Sequence, residues 1–259
     1  MRLNAIVHEP EGAETKPPLV IAHGLFGSAR NWGAVAKRLT DGRRVIAVDM
    51  RNHGDSPWSD DHSYPAMADD LAEALETHGG GEADLLGHSM GGKACMTLAV
   101  TRQPAALRRL VIADIAPVAY RHSHLAYVEA MLAVDLGALT RRSEVEPLIA
   151  EAVPERSLRA FLLHSLATGP EGLRWRLNLA ALRDWMSSMI GFEPLTGRWE
   201  GETLFLRGGA SDYADDEGLA AAKPLFPAME VATLPGAGHW LHAEQPVEFA
   251  AAVAVFLDR

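Results

Sequence analysis

Ala83-Asp-Leu-Leu-Gly-His-Ser-Met-Gly-Gly92 is the stretch on which the fold turns. Ala83–Leu86 is a short apolar run of strand character, and a helical pattern opens directly behind Ser89. Between them Gly87-His88-Ser89-Met90-Gly91 has the form G-x-S-x-G, in the strand–turn–helix setting that this pattern requires. The turn must be tight enough to strain the serine backbone, which lifts its Oγ into the open. Gly87 and Gly91 flank it because larger side chains would crowd the neighbouring backbone. The helix behind it aims free N–H groups and a positive dipole end at the same spot, so the Met90 N–H is expected to face a developing oxyanion.

A serine of this kind needs a base, and the base needs an orienting acid. His239, within Leu234-Pro-Gly-Ala-Gly-His-Trp-Leu-His242, follows the last strand run and has glycine neighbours that permit close approach. His242 is its rival, read as a surface residue or a supporter near the start of the last helix. A second oxyanion donor is sought in His23-Gly-Leu-Phe-Gly-Ser28, where Gly24 and Gly27 let backbone approach a ligand. Leu25 is the first choice of donor and Phe26 the alternative; His23 reads as a hydrogen-bonded fixer of the loop. The polar run Asp49-Met-Arg-Asn-His-Gly-Asp-Ser-Pro57 reads as a loop tied by its own hydrogen bonds.

Working outward, Pro18–His23, Arg44–Val48, Ala83–Leu86, Leu110–Asp114, Thr203–Arg207 and Met229–Leu234 are continuous apolar runs without alternation, as strands covered on both faces require. Tyr64–His78 repeats Met67, Leu71 and Leu75 behind Ser63 as N-cap and ends at Gly79. Pro246–Leu257 begins with a first-turn proline. Strands alternating with helices predict an α/β fold with a mostly parallel sheet and helices on both faces. Val118 to about Glu200 breaks the rhythm, with helical stretches at Leu125–Leu136, Glu155–Leu166 and Asn178–Met189 and no convincing strand. The expected organisation is a core of residues 1–117 and 201–259 interrupted by an all-helical insertion at 118–200.

The chain has 259 residues and 48% hydrophobic residues, enough for a sizeable core and too apolar for disorder. A net charge of −10 lacks the basic footprint that phosphate backbones attract, so nucleic acid is not an expected partner. No apolar run reaches membrane-spanning length. Cys95 is the single cysteine and forms no internal disulfide, which suits a reducing compartment; no signal-like start is present, and the expected location is cytoplasmic. His122 and His124 have nothing nearby to complete a metal set and read as surface residues; no metal and no cofactor is expected.

H-G-x-F-G-S, D-x-R-N-H-G-x-S, G-H-S-M-G-G and G-x-G-H-x-x-H-x-E-x-P stand in order from His23 to Pro246. Together they resemble the α/β-hydrolase family, and "DMRNHGDSP" with "ADIAPV" resemble its small bacterial YbfF-type esterases. The resemblance implies a helical cap inserted between strands and a Ser-His-Asp triad of Ser89, His239 and an acid. The acid slot is where the chain departs from the family pattern. After Thr203–Arg207 the sequence reads Gly208-Gly-Ala-Ser-Asp212, so the usual position falls on Ser211 or Asp212 depending on the register. In the YbfF-like group the acid resembles one supplied from the earlier strand end, which favours Asp114 over Asp212.

The chemistry so implied is acyl transfer to water from short- to medium-chain esters, with thioesters as a related class. The partner is a small-molecule ester and the protein a monomer or small homo-oligomer. Trp175, Trp185, Met186, Met189 and Phe192 cluster in the second half of the insertion, and Trp185 is expected to touch the acyl group beside Phe26. A carbon–carbon bond or enol-lactone hydrolase could use the same triad, and a ligand receptor could keep it without turnover. Dehalogenation is disfavoured because the elbow carries serine.

Overall fold

The computed structural model describes residues 1–170 and 172–259. Every apolar run named above is a strand of one sheet. In chain order the strands are β1 (Ala5–His8), β2 (Leu19–Ala22), β3 (Val45–Val48), β4 (Ala83–His88), β5 (Leu107–Ala113), β6 (Leu166–Gly169), β7 (Gly172–Trp175), β8 (Thr203–Gly208) and β9 (Met229–Leu234). The main sheet runs β1-β3-β2-β4-β5-β8-β9, with β1 antiparallel at one edge and the rest parallel.

The two-faced burial explains the unbroken apolar runs. Leu19 and Ile21 of β2 join one core with Trp32, Val35, Phe249 and Phe256, while Val20 and Ala22 join the other with Met67, Leu71 and Met96. Helices Gly33–Leu39 and Pro246–Leu257 cover the first face, and Tyr64–His78 and Met90–Thr101 the second. Helix Tyr64–His78 starts where the Ser63 Oγ accepts the Ala66 N–H at 3.3 Å and stops where the Gly79 N–H reaches the Leu75 carbonyl. Strand order reverses between β2 and β4. The carboxyl ends of the strands open a crevice at such a point, where ligands of open α/β sheets bind.

The segment between β5 and β8 contributes no strand to the main sheet, but it is not all-helical. Helices Leu125–Leu132, Arg156–Leu163, Leu179–Asp184 and Met186–Ile190 are joined by an antiparallel hairpin of β6 and β7. The expected helix from Glu155 stops at Leu163, because Leu166 is needed across from Trp175. Leu166 and Leu173 then fill a small core with Val145, Ile149 and Leu163. A four-residue strand is too short to show a period. The expected helix Asn178–Met189 is likewise broken at Trp185 into two short ones.

The polar loop after β3 ties this segment to the sheet. Asp49 accepts from the Ala29 N–H (2.7 Å), the Asn4 amide (2.8 Å) and the Asp55 N–H (2.9 Å). Gly54 lies at φ +60 against that carboxylate, where any Cβ would collide. Asn52 accepts the Asn178 N–H on its carbonyl and the Asn178 side-chain amide on Oδ1, both at 3.0 Å. The guanidinium of Arg176 reaches Asp55 at 2.9 Å. Among the described residues no helix is long and apolar enough to cross a membrane.

Candidate active site

Ser89 closes the turn between β4 and helix Met90–Thr101 at φ 52, ψ −119, a conformation that L side chains rarely adopt. The surroundings enforce it. A Cβ on Gly91 would lie 2.5 Å from the Ala22 carbonyl oxygen, and one on Gly87 would lie 2.5 Å from that of Gly91. Three further non-glycine residues behind strands of the sheet have positive φ, Phe26 at 63, Asn52 at 66 and Asp114 at 49. Each begins a loop behind a buried strand.

The structure brings Ser89, His239 and Asp114 into one hydrogen-bonded line. The Ser89 Oγ donates to His239 Nε2 at 3.1 Å, and His239 Nδ1 donates to Asp114 Oδ2 at 2.8 Å. The buried Asp114 carboxylate also accepts the Gly208 N–H on Oδ1 (2.8 Å) and the Ser211 hydroxyl on Oδ2. Ser211, one of the two positions on which the usual acid slot falls, is thus a donor to Asp114. Asp212 is exposed, and among the described residues it makes no hydrogen bond to His239. The Tyr213 ring stacks on the His239 imidazole with centroids 3.7 Å apart, and the His239 carbonyl accepts from His88 Nε2 at 2.9 Å.

The two backbone donors considered for an oxyanion differ in availability. The Phe26 N–H is taken by His53 Nε2 at 3.2 Å. His53 is buried and its pKa lies well below the ordinary value because desolvation penalises the cation. The neutral ring donates from Nδ1 to the Arg51 carbonyl and accepts at Nε2. Among the described residues the Leu25 and Met90 N–H groups have no acceptor, which leaves both free for a ligand. His23 bridges the Met50 N–H and the Gly24 carbonyl, as a loop fixer does.

Ser89 stands between two cavities. The larger, about 230 Å³, is walled by Phe26, Tyr127, Leu158, Phe161, Trp240 and His242, with His239 on its floor. The smaller, about 40 Å³, is lined by Tyr64, Met90, Lys93, Ile115, Tyr120 and Met189. Phe26 lines the larger cavity. Trp185 does not, because its indole N–H donates to the Asp60 carbonyl at 2.7 Å and the ring lines neither cavity. His124 is no surface residue; it lines both cavities, and burial pulls its pKa down to about 4. His242 is buried and stacks on Trp32 at 4.3 Å, with its pKa lowered to about 3 by burial. His122 is exposed as expected and meets the Tyr213 hydroxyl at 2.7 Å.

Lys93 escaped the sequence reading. It sits one helical turn beyond Ser89 and is buried, and its ammonium donates to the carbonyls of Met189 (3.4 Å), Ile190 (3.0 Å) and Gly191 (2.8 Å). It pins the end of helix Met186–Ile190 to helix Met90–Thr101, which follows Ser89. A lone cation directly before the stretch Ala94–Val100, where Thr97 is the one polar residue, was the available signal. Burial pushes its pKa from 10.5 down to about 7. Between those values the folded protein holds fewer protons than the unfolded chain, so this group makes stability rise with pH across that window. Lys93→Met is expected to flatten the rise by up to about 1.4 kcal/mol per pH unit. Urea unfolding of both proteins across the window checks this, and equal slopes would show that Lys93 stays charged throughout.

Residues 19–252 match the profile described as the alpha/beta hydrolase family. The chain belongs to the alpha/beta hydrolase family. It is 41% identical over 255 residues to the sn-1-specific diacylglycerol lipase ABHD11 of Mus musculus, covering 95% of this chain and 83% of that one. It is 35% identical over 261 residues to esterase YbfF of Escherichia coli K12, covering both chains in full. A solved marine microorganism esterase superposes with a TM-score of 0.91 at 35% identity, covering 99% of each chain. The hydrolase fold expected from the sequence is therefore shared along the whole length, insertion included.

Proposed function

We propose that this hydrolase is a serine carboxylesterase acting on short- to medium-chain acyl esters, thioesters included. The observation that carries the reading is the unbroken line from Ser89 Oγ through His239 to the buried Asp114 carboxylate, at the meeting of two cavities. Esterase and lipase relatives aligned over nearly the whole chain support the ester bond as target. Residues 1–117 and 201–259 act as the core and residues 118–200 as a cap that roofs the site.

His239 Nε2 takes the Ser89 proton as Oγ attacks the ester carbonyl. The oxyanion accepts from the Leu25 and Met90 N–H groups; losing one such donor typically costs about 100- to 1,000-fold in turnover. Asp114 keeps the imidazole in the tautomer that leaves Nε2 free, and it stabilises the imidazolium that forms. His239 then protonates the departing alcohol. In the second half-reaction it deprotonates water, which attacks the acyl-enzyme, and it returns that proton to the Ser89 Oγ as the carboxylic acid is released.

The test is hydrolysis of p-nitrophenyl esters from acetate to palmitate by the wild type and Ser89→Ala. Turnover should depend on chain length and fall by about 10⁶-fold in the variant, as removal of a serine nucleophile does elsewhere. A folded wild type that hydrolyses no ester would refute the reading.

A further inference from the structure

We infer that the two cavities divide the ester between them, with the acyl half in the small one and the alcohol half in the large one. This rests on Ser89 as nucleophile and His239 as base. Beyond the Ser89 Oγ, the tetrahedral carbon carries an oxyanion, an acyl chain and a leaving oxygen. The free N–H groups of Leu25 and Met90 fix the oxyanion. The leaving oxygen must come within hydrogen-bond reach of His239 Nε2 to be protonated. His239 and its neighbours Trp240 and His242 line only the large cavity, whereas Met90, Lys93 and Ile115 line only the small one. The alcohol therefore leaves toward Trp240, and the acyl chain points toward Lys93.

Size then limits the acyl chain. A water needs roughly 10–15 Å³ measured in this way. The small cavity, about 40 Å³, thus takes about three water-sized groups, an acyl chain of roughly two to four carbons. Its Met189 wall cannot give way cheaply, because Lys93 donates to the Met189, Ile190 and Gly191 carbonyls and the Tyr64 hydroxyl donates to the Met189 carbonyl at 2.7 Å. The large cavity, about 230 Å³, is walled by Tyr127, Leu158, Phe161 and Trp240 and suits a bulky apolar alcohol. The substrate class is a short-acyl ester of a large apolar alcohol.

Octyl acetate and ethyl octanoate test this directly, since they are isomers with similar leaving alcohols and opposite orientation. Two methylenes left unburied, at roughly fourfold each, already exceed tenfold. The wild type should therefore show kcat/KM at least about tenfold higher for octyl acetate. Met189→Ala should narrow the ratio by opening the acyl side, and Phe161→Ala should narrow it by stripping a wall from the alcohol side. A wild type that prefers ethyl octanoate, or a Met189→Ala protein with a wider ratio, overturns the assignment. Should Met189→Ala not fold, the wild-type ratio and Phe161→Ala decide it. Failure of the wild type on these esters and on p-nitrophenyl acetate alike would sink the esterase reading itself, a distinct outcome.

Discussion

Asp114→Asn is expected to lower kcat by about 10⁴-fold with the fold intact, as the equivalent change does in serine proteases, while Asp212→Asn stays within about twofold. The amide keeps an oxygen for the Gly208 N–H, so the side chain is held where the acid was. The group replacing Oδ2 is an NH₂, which cannot accept from His239 Nδ1 or from the Ser211 hydroxyl. The imidazole is then driven to the tautomer that protonates Nε2, and Ser89 loses its acceptor. Steady-state kinetics with circular dichroism on both variants checks the order. A larger loss in Asp212→Asn would move the acid to Asp212.

Asp70→Ala is expected to cost about 3–5 kcal/mol of stability, the range for breaking a buried ion pair on one side. Asp70 lies fully buried in helix Tyr64–His78 and receives Arg51 Nε at 2.6 Å, a second guanidinium nitrogen at 2.9 Å and the Met1 ammonium at 2.5 Å. Without the carboxylate, Arg51 is left as a buried charge among the Asp61 and Ala66 carbonyls. Replacing Arg51 as well, as Arg51→Met with Asp70→Leu, should recover part of the loss, because the buried guanidinium is no longer orphaned while the Met1 ammonium keeps only Glu73. Urea unfolding of the single and double variants measures it; a single-variant loss under about 1 kcal/mol would contradict the argument. Activity should suffer too. The Arg51 carbonyl orients His53, and His53 in turn holds the Phe26 backbone beside Leu25.

How much of this was legible follows from where the information lies. The strands were legible because burial on both faces leaves a run with no polar break, as in Leu19–Ala22 and Val45–Val48. Ser89 was legible because sterics around Gly87 and Gly91 admit so few sequences. Asp114 was harder, since nothing local marks a strand-end aspartate as an acid. Its partners Gly208, Ser211 and His239 lie 94, 97 and 125 residues away. The insertion was least legible. Trp185 looked like a pocket wall by type, yet its N–H found a loop carbonyl. The hairpin of β6 and β7 hid because a short strand carries no period, and Lys93 because a lysine is ordinarily read as solvated.

The grip of Lys93 divides the roof over Ser89 into two parts with different freedom to diverge. The part ending at Gly191 is bolted to helix Met90–Thr101, so changes there disturb the turn at Ser89 as well as the roof. Leu125–Leu132 and Arg156–Leu163, which supply Tyr127, Leu158 and Phe161, carry no such bolt among the described residues. Among descendants of one ancestor, new alcohol preferences should therefore arise readily through these helices, while the acyl preference is inherited almost unchanged.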